Sequence, residues 1–69
     1  MTHKQIYTFF GTLFPTYYNS VDAWFPNGKG SIRVRLKGLP EEFIFTFINN
    51  KEWDFETLTY HNNKLKGAK

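Results

Sequence analysis

The chain has 69 residues, with nine Lys or Arg against six Asp or Glu and a net charge of +3, which is room for one small domain and excludes a second. At 41% hydrophobic and 20% aromatic it is too apolar for intrinsic disorder, and without cysteine it has no disulfide framework, thiolate metal site or thiol nucleophile. No apolar run has the length of a membrane span or the form of a secretory leader, so the expectation is a soluble, cytoplasmic protein.

Ile6, Phe9, Phe10 and Leu13 recur at i, i+3, i+4 and i+7 and predict an amphipathic N-terminal helix. Thr2 and Gln5 have the spacing of a capping box at its start. Pro15 ends the helix at or before Phe14, because the residue preceding proline is driven out of the α region. Gly11 costs the helix about 1 kcal/mol relative to alanine, so the helix needs a sheet to lie on.

Beyond Pro15 the period changes to 2, and β-branched and aromatic runs alternate with turn residues. Strands are predicted over 19–25, 31–37, 43–48 and 53–60, separated by turns at 26–30, 38–42 and 49–52. Connections this short favour sequential antiparallel pairing over crossovers. The expected fold class is α+β, one helix packed on a four-stranded antiparallel meander, with a single domain over 1–65 and a disordered basic tail over 66–69.

Charge is segregated along the chain. Residues 1–40 hold five basic groups (Lys4, Lys29, Arg33, Arg35, Lys37) and one acid, Asp22. Residues 41–56 hold five acids (Glu41, Glu42, Glu52, Asp54, Glu56) and Lys51, and the tail adds Lys64, Lys66 and Lys69. Arg33, Arg35 and Lys37 project from one face of one strand at a spacing of about 7 Å, a row that suits phosphates when aromatic rings lie nearby. The same row also suits the solvated face of an amphipathic strand paired with acids across the sheet.

Register decides where Trp24 lies, since a slip of one residue exchanges the two faces of a strand. With Phe25 opposite Ser31, Trp24 joins Ile32 and Val34 on the core face; with a bulge in the glycine turn it joins the arginines. The third strand, with Phe43, Ile44, Phe45, Phe47 and Ile48, is apolar on both faces. Its second face needs a cover: the Tyr17–Tyr18 segment, the tail, or a partner.

Catalytic chemistry is poorly represented. His3 and His61 stand near opposite ends, Asp54, Glu56 and His61 make at best a loose ligand set, and the glycines at 28 and 30 lie between strands rather than in a phosphate loop. No cofactor, metal, small-molecule substrate or membrane is expected. The first functional expectation is a non-catalytic binding or regulatory protein that contacts a protein partner or a second copy of itself through the open sheet face, using Trp24, Ile44, Ile48, Tyr17 and Tyr18. The alternative is a single-stranded nucleic-acid binder using Lys29, Arg33, Arg35 and Lys37.

Overall fold

The capping box forms as spaced. In a computed structural model that describes residues 1–67, with side chains described for 1–63, Thr2 Oγ1 accepts from the Gln5 amide at 3.1 Å and the Thr2 amide donates to Gln5 Oε1 at 2.8 Å. These bonds satisfy donors that the first turn leaves free and start α1, His3–Leu13. Its apolar stripe buries Ile6 and Phe10, one turn apart. Phe14, at φ −130° and ψ 70°, breaks the helix before Pro15. Pro15 does not lead into strand, however. Its fixed φ suits a first helical position, and it opens a one-turn helix, α2, Pro15–Tyr18, capped by Asn19 in the helical region.

The predicted first strand therefore begins two residues late, and the sheet comprises β1 (Val21–Pro26), β2 (Ser31–Leu36), β3 (Glu42–Asn49) and β4 (Glu52–Thr57). All neighbours are antiparallel and the spatial order is β1-β2-β3-β4, the predicted meander. The β1–β2 turn needs its glycines, since Gly28 and Gly30 sit at φ +74° and +78°. The same turn is tied to the start of α1, where His3 Nε2 lies 2.6 Å from the Gly28 carbonyl oxygen.

Trp24 pairs with Val34, and Phe25 faces Arg33 rather than Ser31. This shift of two residues preserves parity, so Trp24 stays on the core face and Phe25 joins the arginines. The bulge falls at the other end of the hairpin, between Val21 and Ala23. On the helix side, Ile6 and Phe10 close over Ile32, Val34, Leu36 and Phe45 in one buried cluster. Aromatic ring pairs on this side surround that cluster.

The C-terminal segment differs from its expected form. Strand β4 ends at Thr57 rather than at residue 60, and Leu58–Gly67 forms a helix, α3. The cause is polar. Thr57 Oγ1 accepts from the Tyr60 amide at 3.1 Å, and Glu41 Oε2, reaching from the β2–β3 connection, accepts from the Thr59 amide at 2.9 Å. Amide donors capped in this way favour a helical turn over the extended form that alternating Thr, Leu, Thr and Tyr suggest. Lys66 and Gly67, assigned to a disordered tail from sequence, are the last residues of this helix, and residues 68–69 of that tail lie outside the described residues.

Hydrogen bonds from Thr59 hold the Glu41 carboxyl below its ordinary value of 4.5. An acid whose pKa is lowered by folding stabilises the native state above its unfolded value and loses that contribution as pH falls through the folded one. The Thr59 amide proton shift is therefore expected to titrate with a midpoint below 4.5, and Glu41→Gln to abolish the step in an NMR pH series.

Candidate binding surface

Two surfaces carry the residues singled out from sequence, and they lie on opposite sides of the sheet. On the helix side, α2 places its two tyrosines at the end of α1. Tyr18 turns toward β1: its ring lies 5.0 Å from that of Tyr7, which is stacked on Trp24 at 4.7 Å and 10°. Tyr17 turns toward β4, with ring centroids 5.8 Å from both Phe14 and Phe55. Phe14 in turn meets Phe55 at 4.9 Å and Trp53 at 5.2 Å. The result is a belt of rings from β1 to β4 with α2 at its middle. Most members are half-buried, whereas Tyr17 is 44% exposed and Tyr18 39%. Burial, with Tyr18 as a second cause, pushes the Tyr7 hydroxyl above its usual range.

Gly11 makes the Tyr18 position available. A Cβ at residue 11 would stand 2.5 Å from Tyr18 Cδ1, far inside contact distance, so a residue that weakens the helix is what lets the ring lie against it. An unexplained glycine inside an apolar helix pattern was the sequence signal for this contact, and the partner ring could not be named without the backbone.

On the open face, Arg33 and Arg35 project together, while Lys37, expected in the same row, lies just past the end of β2, and both arginines turn onto one carboxylate. Arg33 Nε lies 3.0 Å from Glu42 Oε1, close enough for an ion pair although not aligned as a hydrogen bond, and Arg35 Nη2 donates to Glu42 Oε2 at 3.1 Å. The Arg33 guanidinium also lies 5.1 Å from the Phe25 ring centre. Lys29 and Lys37 are exposed in the turns at opposite ends of β2. Acids share this face: Ile44 is directly opposite both Arg33 and Glu56, and Thr46 is opposite both Ser31 and Asp54, so the arginine and glutamate are two strands apart in one row.

Ile44, expected as an apolar anchor for a partner, is 1% exposed. It belongs to the face away from α1, and α3 packs against β3 and β4 there, with His61 Nδ1 2.5 Å from Glu56 Oε2. The tail, rather than Tyr17 and Tyr18, is the element on that side. Ile48, at the β3 bulge, is 56% exposed. The five residues expected to form one protein-binding surface are thus divided: Trp24, Tyr17 and Tyr18 belong to the ring belt, Ile44 is covered, and Ile48 is exposed apart from them.

Among the described residues no three His, Asp or Glu side chains are grouped to hold a metal ion, and no helix is long and apolar enough to cross a membrane. A shallow depression is lined by Pro40, Glu41, Glu42, Leu58 and Thr59, and both of its carboxylates are engaged, Glu41 by Thr59 and Glu42 by the arginines. Compared with known proteins, the chain matches no family model, no curated protein and no solved structure.

Two substitutions test this geometry. Gly11→Ala, which on an isolated helix would gain about 1 kcal/mol, is expected here to give no rise in thermal midpoint and to remove the Tyr7–Tyr18 ring contacts from the NOE spectrum. Glu42→Ala is expected to cost about 1 kcal/mol, because the arginines it pairs are only partly withdrawn from water, and to create a weak, salt-sensitive affinity for oligothymidylate, measured by fluorescence anisotropy.

Proposed function

We propose that this chain is a non-catalytic protein-binding domain that docks through the tyrosines of α2. The observation that carries the reading is the pair Tyr17 and Tyr18, exposed yet pinned, each by ring contacts reaching into the helix-side packing. Tyrosine offers large contact area with few rotors, and a ring already held in place loses little conformational entropy on binding. Trp and Tyr are enriched among the residues that dominate interface energetics. Trp24 and Tyr7 extend the same surface toward β1.

The nucleic-acid reading is less well supported by the same geometry. A strand of phosphates laid along β2 would compete with Glu42 for Arg33 and Arg35 and would share its face with Asp54 and Glu56, two strands away. Like charge there opposes the counterion release on which such binding depends.

The test is site-specific photocrosslinking in cells, with a benzophenone amino acid at position 17 and, as control, at position 37. A discrete protein adduct from position 17, absent from position 37 and lost on Tyr18→Ser, is expected. Absence of an adduct from position 17, or the same adducts from both positions, overturns the reading. In parallel, oligothymidylate titrated at roughly 20 and 150 mM salt is expected to leave the amide spectrum unchanged; salt-sensitive shifts confined to β2 would favour the alternative.

A further inference from the structure

Helix α3 packs against β3 and β4 on the face opposite α1, and the manner of its attachment differs from that of the core. Ile44 is 1% exposed yet stands outside the cluster that α1 covers. Three polar attachments hold α3 near its start: the Thr59 amide to Glu41, the Tyr60 amide to Thr57, and His61 to Glu56. Among its described side chains, Leu58 and His61 are partly withdrawn from water, while Thr59, Tyr60, Asn62 and Asn63 are exposed. Thr, Tyr, His and Asn are all mediocre helix formers. The first turn carries no acid of its own, so the negative charge that favours a helix start is lent by Glu41 from the β2–β3 connection.

We propose that α3 is a releasable strap, which lifts from the sheet while the helix-side core stays folded and thereby uncovers Ile44. The core cluster draws on α1, β2 and β3, and none of the α3 residues whose side chains are described, 58–63, is among its members or the rings packed on it. Local openings of this kind need less free energy than global unfolding because few contacts break. The uncovered surface has an apolar centre, Ile44, between Arg33 on one neighbouring strand and Glu56 on the other, with Glu42 two residues before it on the same strand. The strap thus holds closed an apolar, charge-rimmed patch on the side of the sheet opposite to the tyrosine belt, and the inference is independent of the function proposed for that belt.

The experiment removes the latches from the full chain. In Glu41→Ala/His61→Ala, the amides of Tyr60 to Asn63 are expected to exchange with solvent at least about tenfold faster than in the parent, while those of Val34 and Phe45 change by less than about twofold. A soluble gadolinium chelate is expected to broaden the Ile44 methyl signal and to leave Ile32 unaffected. Equal acceleration in α3 and the sheet overturns the proposal, as does a shielded Ile44 methyl once α3 has opened, or no change anywhere. Should the double variant fail to fold, native-state exchange of the parent in low denaturant decides the matter. An α3 opening well below that of Val34 and Phe45 is then expected, and coincident openings refute it.

Discussion

An eleven-residue helix is asked to cover the apolar face of a four-stranded sheet. A helix with its side chains is about 10 Å wide, whereas four strands spaced at about 4.8 Å present a broader floor. Helix α1 can seal only the middle, and there Ile6 and Phe10 close over Ile32, Val34, Leu36 and Phe45. The flanks are filled by flat side chains lying between helix and sheet: Tyr7 and Trp24 toward β1, Phe14 and Phe55 toward β4, and Phe9 edge-on to Phe47 at 5.2 Å. This accounts for 20% aromatic content in so short a chain. Rings can seal a wedge-shaped gap while leaving one edge in water, so packing and display become the same arrangement.

Because strand order follows chain order, the charge pattern along the sequence is carried directly into space. The basic half becomes β1, β2 and their turns, and the acidic half becomes β3, β4 and theirs. The seam between the halves is where opposite charges meet, and Glu42, the first residue of β3, pairs with both arginines of β2 across it. A row that looks like a phosphate track in one dimension is, in two, one side of an internal ion-pair set.

What could be read from the sequence depended on how local the deciding interaction was. The capping box, the break at Pro15 and the alternation of Ile32, Val34 and Leu36 with Arg33 and Arg35 are set within a few residues, and each was legible. The side taken by Trp24 was left open between two registers, and it was decided by a bulge that falls near Asp22 and not in the glycine turn. The fate of residues 58–67 was not legible: the strand-like alternation there is overruled by Glu41, a carboxylate 18 positions away in sequence from the amide that it accepts. Ile44 was missed for the same reason, since its burial depends on a segment read as strand and tail. Gly11 marked a contact without saying with what.

The sheet in which each strand pairs with its chain neighbour also fixes the order in which this molecule can assemble. Three successive hairpins demand only short loop closures, which are entropically cheap and fast. Helix α1 stands apart, because the residues that it buries, Val34 and Phe45 among them, lie more than twenty positions further along the chain. In synthesis its apolar stripe precedes β2 and β3, so Ile6 and Phe10 have nothing to cover until those strands have been made.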